Sequence, residues 1–218
     1  MSGGVEAIVP VRGLPAGKQR LAALLTVEQR NLLVRAMLGD VVETLQASSC
    51  IDAVTIVSGD AAAGREAERL GVGFLRQPEG VNGLNAGLSF AQGECASREA
   101  ILIVPADLPL VTPVDVSALV AGAPDGPVVG VAPSWDEGTN GLFLRPPDVI
   151  GPLYGVDSSK RHAEAAEAAG LPVHWVDEGR WRLDVDTPED LGRLVAEVWE
   201  GSARQTLACL RSSGFPSI

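Results

Sequence analysis

Glu99-Ala-Ile-Leu-Ile-Val-Pro-Ala-Asp-Leu-Pro-Leu-Val111 governs how the rest of the chain is read. Its apolar run stops at Asp107, with Pro105 and Pro109 on either side. A short apolar run bounded by prolines predicts a strand buried on both faces, as in a parallel sheet. In open α/β sheets ligands bind beyond the carboxyl ends of the strands, so Asp107 stands where a carboxylate can hold a cation. Asp and Pro also serve turns and helix caps, and this segment alone leaves both roles open.

On both sides the pattern alternates. Residues 6–11, 53–58, 72–76 and 101–104 read as strands, and residues 26–48, 61–70, 84–96 and 113–121 as helices. Thr26-Val-Glu-Gln29 is a capping box, and Leu33, Met37, Val41 and Leu45 follow it as an apolar stripe at helical spacing. Two more strands are expected over residues 127–132 and 138–144, a helix over 158–169, and late strands over 173–176 and 182–185. Thr187-Pro-Glu-Asp190 opens the next helix with a hydroxyl cap, Pro at the first position and acids in the first turn. This alternation predicts a three-layer α/β/α sandwich with a mostly parallel, Rossmann-like sheet. It fits one domain over residues 1–200, with residues 201–218 a flexible, serine-rich tail.

Composition narrows the function. A net charge of -11 argues against a nucleic-acid surface, which needs a basic stripe. A polyanionic ligand would therefore need local cations. Cys50, Cys95 and Cys209 are scattered and lack metal-ligand spacing, which suits a reducing cytoplasm. The start shows no signal-peptide pattern, and no apolar stretch is long enough to span a bilayer. His162 and His174 are too isolated for a histidine metal site. Only Lys18 and Lys160 among the 17 basic residues are lysines, compact charges that approach phosphate as points.

Four constellations carry chemistry. Val9-Pro-Val-Arg-Gly-Leu-Pro-Ala-Gly-Lys-Gln-Arg-Leu21 follows the first strand, where doubly wound sheets hold phosphates. Arg12 and Lys18 supply charge there, and Gly13 allows close backbone approach, a combination able to cradle a triphosphate. A solvated basic loop is the plain alternative. Asp107 and Asp186 each end an apolar run. If both runs are neighbouring strands, their carboxylates emerge together, enough for Mg²⁺, which takes one or two protein carboxylates. Asp184 alternates to the opposite face of such a strand. Gly83-Leu-Asn-Ala-Gly-Leu-Ser89 opens a helix, and Asn85 carries an amide able to read a purine edge; an ordinary cap is the alternative. Thr139, Gly155 and Ser158 offer hydroxyls and an amide, with Ser158 at a helix start that suits an anion. Lys160, Arg161 and His162 follow in a first turn that disfavours cations unless an anion is near.

Taken in order, Pro-Val-Arg…Gly-Lys-Gln-Arg-Leu, Gly-Leu-Asn, Pro-Ala-Asp-Leu-Pro-Leu, Gly-Thr-Asn-Gly-Leu, Tyr-Gly…Ser…His and Asp-Val-Asp-Thr-Pro-Glu-Asp-Leu resemble the guanylyltransferases of coenzyme F-420 biosynthesis. That family comprises the 2-phospho-L-lactate and phosphoenolpyruvate enzymes, and the resemblance runs over roughly residues 5–195. It implies a single-domain nucleotidyltransferase that moves GMP from GTP to a small phospho-acid and releases pyrophosphate. It implies that Lys18 lies near the nucleotide phosphates; the loop and helix-start patterns above add Arg12, Gly13, Gly83 and Asn85 as expected nucleotide-binding residues. Asp107 and Asp186 would hold Mg²⁺, and Thr139, Gly155 and Ser158 would hold the acceptor. Functional coupling to the downstream phospholactyl or enolpyruvyl transferase is implied as well. Arg12 stands where Lys is commoner, Tyr154 where Phe is usual, and Ser159 where Phe usually follows the substrate serine. The Ala-, Gly- and Arg-rich composition is what a GC-rich actinobacterial genome gives, and in that group the family is associated with phosphoenolpyruvate. The alternatives are 2-phospho-L-lactate or 3-phosphoglycerate as acceptor, a nucleotidyltransferase of the molybdenum-cofactor or sugar-phosphate type, or an inactive nucleotide-binding regulator.

Overall fold

A computed structural model describes residues 3–12, 18–177, 179–197, 202–212 and 215. Seven strands form one sheet: β1 (Val5–Pro10), β2 (Ala53–Ser58), β3 (Gly73–Arg76), β4 (Ala100–Ile103), β5 (Val128–Pro133), β6 (Thr139–Arg145) and β7 (Val173–Trp175), in the order β3-β2-β1-β4-β6-β5-β7. All run parallel except β6, which is antiparallel to both β4 and β5.

The run at the centre of the sequence, β4, is buried along its whole length, as expected of a parallel strand covered on both faces. Its alternate side chains enter different cores. Ala100 and Leu102 join Ala7 and Val9 of β1 on one face, whereas Ile101 and Ile103 join Ile8 on the other. Helices α1 (Val27–Ala47), α2 (Ala61–Leu70), α4 (Pro113–Val120) and α7 (Pro188–Glu197) contribute to the first core. Helices α3 (Leu84–Glu94) and α5 (Ser158–Ala168) contribute to the second. The three-layer expectation holds, and each face owes its cover to a period-3.6 stripe meeting a period-2 strand.

The capping box at the start of α1 forms in both directions: Gln29 N–H donates to Thr26 Oγ1 at 3.2 Å and Thr26 N–H to Gln29 Oε1 at 2.8 Å. Among the described residues no helix is long and apolar enough to cross a membrane.

Two expectations need correction. Residues 182–185 do not form a strand. Residues Gly179–Arg182 make a short helix, α6, and residues 183–186 run on outside any element. Three consecutive side chains there are anchored in different places: Arg180 forks onto Asp115 at 2.7 Å, Trp181 is fully buried, and Arg182 pairs with Asp177. A helical turn spreads them around an axis, whereas strand alternation would put both arginines on one face. The segment called a flexible tail contains helix α8 (Arg204–Arg211) packed on α1. Asp40 of α1 caps it, accepting from Gln205 N–H and Thr206 N–H at 2.8 Å each.

Candidate active site

The strand order reverses between β1 and β4. The first crossovers lead from β1 outward to β2 and β3, and the chain then returns to lay β4 on the other side of β1. Beyond the carboxyl ends of strands at such a switch point, diverging loops leave a crevice. Lys18 follows β1, Asp107 follows β4, and Asp186 arrives just before α7. The extended segment carrying Asp186 is joined to the β4 loop by Val185 N–H donating to Asp107 O at 3.1 Å. So the two aspartates do meet, through one backbone bond rather than through adjacent strands.

Lys18 Nζ lies 2.5 Å from both Asp107 Oδ2 and Asp186 Oδ1. Burial opposes the ammonium, but the two carboxylates outweigh it and raise the pKa of Lys18 above the ordinary lysine value. The residue is held at φ 55°, a left-handed conformation that a non-glycine side chain adopts at a cost. The Thr187 hydroxyl and Asp190 secure the other side: Asp190 Oδ2 accepts from Asp186 N–H at 3.2 Å and Thr187 N–H at 2.8 Å.

Lys18, Asp107 and Asp186 line a cavity of about 640 Å³ with Arg12, Leu84 and Tyr154. A second cavity of about 300 Å³ adjoins it, sharing Pro10, Val11, Arg12 and Leu84 and reaching Ser58, Gln77 and Gly83 beyond β2 and β3. Together they are of the size that receives a nucleotide and a small second substrate. Gly83 caps α3 at φ 88°, a conformation open to glycine and strained for most other residues. Gly13 lies outside the described residues.

Asn85 has other work than reading a base. Its Oδ1 accepts from Tyr154 N–H at 2.8 Å and its Nδ2 donates to Tyr154 O at 2.9 Å. Both ends of the amide are used to grip one residue's backbone, as a neighbouring strand would.

Thr139 and Ser158 come together, although 19 residues apart, with their hydroxyls at 3.0 Å. The antiparallel β6 explains the position. Because Ile103 pairs with Leu142, the start of β6 lies past the end of β4, beside the loop that carries Asp107. His162 completes the group. Its Nε2 accepts from Leu153 N–H at 2.8 Å, so in the neutral ring Nδ1 carries the proton and donates to Thr139 Oγ1 at 3.0 Å. Burial, aided by the nearby Arg161 charge, lowers His162 to about 4 and keeps it neutral. Thr139, Ser158 and His162 are buried, and none lines either cavity. Gly155 is exposed at φ 135°. The cations of the first turn of α5 lose part of their significance, since Lys160 is paired with Glu164 at 3.7 Å on the surface.

Two side chains that sequence reading did not select join the corners. Asn140 is buried and donates to Trp181 O at 2.7 Å and to Asp184 Oδ1 at 3.3 Å. Burial, followed by the charge of Asp107, pushes the Asp184 carboxyl up to about 6. Asp184 therefore belongs to the carboxylate cluster, not to an opposite strand face. The one signal for it was the Asp-Val-Asp spacing, which strand alternation misreads because the segment is not a strand.

A family model described as "Guanylyl transferase CofC like" matches residues 5–217. A phosphoenolpyruvate guanylyltransferase of Sphaerobacter thermophilus is 40% identical over 199 residues, 90% of this chain and 95% of that one. A 2-phospho-L-lactate guanylyltransferase of Methanothermobacter thermautotrophicus is 36% identical over 212 residues, 97% of this chain and 93% of that one. Among solved structures, a nucleotidyl transferase from Methanothermobacter superposes with a TM-score of 0.63 over 88% of this chain and 95% of that one, at 18% identity, a likeness of fold alone.

Proposed function

From a chain that belongs to the CofC-like guanylyl transferase family, we propose an enzyme that transfers GMP from GTP to phosphoenolpyruvate, releasing pyrophosphate and forming enolpyruvyl-diphosphoguanosine for coenzyme F-420 biosynthesis. The observation that carries this reading is the Lys18 ammonium held between Asp107 and Asp186 at the crevice between β1 and β4.

A phosphate oxygen of the acceptor forms a bond to the α-phosphorus of GTP in line with the α–β bridging bond, which breaks and leaves pyrophosphate. The attacking oxygen is already anionic, so no general base has to remove a proton. The chain's task is positioning and charge neutralisation. In this reading Lys18 meets the α- and β-phosphates, Arg12, which lines both cavities, approaches the nucleotide, and the Thr139 and Ser158 hydroxyls, buried and outside both cavity linings, would have to turn outward to hold the acceptor.

Mg²⁺ fits the carboxylates. Asp107 Oδ1 is buried without a hydrogen-bond partner, an acceptor suited to a cation. Among the described residues no group of three or more His, Cys, Asp or Glu is arranged as a complete metal cage. An ion bound there would take one or two carboxylates and complete its shell with substrate phosphate and water. Asp107 and Asp186 would hold it, and when bound it supplies positive charge against the repulsion of two anionic substrates.

Pyrophosphate release with GTP and Mg²⁺ tests the reaction, comparing phosphoenolpyruvate, 2-phospho-L-lactate and 3-phosphoglycerate with the downstream transferase present to draw off the product. Phosphoenolpyruvate is expected to be fastest. Fastest turnover with 2-phospho-L-lactate would transfer the assignment to that acid, the substrate named for the second relative. No release with any of the three would refute the reading.

A further inference from the structure

Among the described residues four buried side-chain polar atoms have no hydrogen-bond partner: Arg30 Nε, Asp107 Oδ1, Tyr154 Oη and Trp181 Nε1. Such atoms are rare in native proteins, because each gives up its bond to water without replacement. Two of them belong to residues lining the same cavity. Asp107 Oδ1 is an acceptor, assigned to a cation in the function proposed above. Tyr154 Oη is a donor, and nothing in the function proposed above employs it.

We propose that the Tyr154 hydroxyl binds the acceptor substrate, donating a hydrogen bond to an anionic oxygen of the phospho-acid; this rests on the guanylyl-transfer reading. The side chain lines the cavity that holds Lys18, Asp107 and Asp186. Its place along the chain puts it at the acceptor end. Gly155 follows it directly, and its ring meets the His162 ring edge-on at 5.3 Å and 72°. His162 in turn bonds Thr139, which bonds Ser158. Tyr154 thus lines the carboxylate cavity and also touches the hydroxyl cluster.

The residue is also fixed before any ligand arrives. Asn85 grips its backbone from both sides, and His162 packs against its ring. A donor held in this way loses little freedom on binding, which favours affinity. Burial raises the phenol pKa well above its ordinary value, so the group keeps its proton and remains a donor throughout the working range. The oxygen it meets is an acceptor and, on an anion, a strong one. The grip of Asn85 on Tyr154 makes Asn85 a positioning residue for this contact.

Tyr154→Phe removes the one oxygen and leaves the ring. Two measurements read the result: thermal unfolding of the protein alone, with phosphoenolpyruvate or with GTP, each with Mg²⁺, and steady-state kinetics for both substrates. Loss of an unpartnered buried oxygen should leave the free protein as stable as wild type or more so. The upward shift in melting temperature produced by phosphoenolpyruvate should shrink, while that produced by GTP stays. KM for phosphoenolpyruvate should rise about 10-fold, with kcat and KM for GTP unchanged.

An unchanged response to phosphoenolpyruvate would overturn the proposal. So would a variant destabilised in the free state, because the hydroxyl would then have a structural partner. A loss confined to GTP would assign the hydroxyl to the nucleotide and overturn it equally. If wild-type protein releases no pyrophosphate with any phospho-acid, the functional reading fails and this contact falls with it. If wild type turns over and Tyr154→Phe matches it, the contact alone is wrong.

Discussion

The two corners of the site use opposite physics. At one, Lys18, Asp107 and Asp186 bring full charges together from three separate loops, with Lys18 in a left-handed backbone and one aspartate oxygen unpartnered. At the other, Thr139, Ser158 and His162 are neutral, buried and bonded to one another. The charged corner keeps one buried acceptor oxygen unpartnered, whereas the groups of the neutral corner bond one another. On the proposed reading the charged corner meets changing charge on a reacting phosphate, and its charges are held ready at a conformational cost offset by the rest of the fold. The hydroxyls of the other corner satisfy one another, and an acid bound there would have to break into that network.

The difference predicts how each corner fails. Asp107→Asn should lower pyrophosphate release about 1000-fold, the range for losing a transition-state charge contact, with circular dichroism unchanged. Near-normal turnover in that variant would erase the distinction between the corners.

The neutral corner should reveal itself through acid stability. His162 titrates at about 4 in the folded chain, against 6.5 unpaired in water. Between those values the unfolded chain binds a proton that the folded chain refuses, so stability is lost as pH falls through that window, by about 3 kcal/mol. The raised carboxyl of Asp184 acts in the opposite sense, since the folded chain takes its proton more readily as pH falls through about 6. Urea unfolding near neutral pH and about two units lower, in wild type and His162→Gln, separates the two. The variant keeps Asp184 and should lose less stability in acid than wild type; equal losses would mean that His162 is not a buried neutral ring.

Ser158→Ala should have the smallest effect, a rise in KM for the acceptor of about 10-fold with little change in kcat, because it removes a contact to ground state and transition state alike. A drop in kcat without a change in KM would give the neutral corner a share in the chemical step.

Much of this was legible in the chain. The central apolar run proved to be a strand ending just before Asp107, and Thr26, Gly83 and Thr187 marked helix starts that exist. The wrong turns share a cause. The late strand, the place of Asp184 and the work of Asn85 each depend on a partner distant in sequence: Asp115 for Arg180 of α6, Asp107 for Asp184, Tyr154 for Asn85. The start of helix α8 likewise depends on Asp40, 166 residues before Thr206. Local pattern carries no information about such partners.

By itself the sequence determined the alternation of strands and helices, the burial of β4 on both faces, and Lys18 and Asp107 as loop residues after central strands. Those follow from periodicity and capping, which act between near neighbours along the chain. Only the tertiary structure decided that Lys18 bridges two aspartates, that Asn85 holds Tyr154, and that a residue lining the site keeps a buried phenol hydroxyl without a partner. Those depend on the strand order and on the reversed direction of β6, which bring together segments up to 168 residues apart.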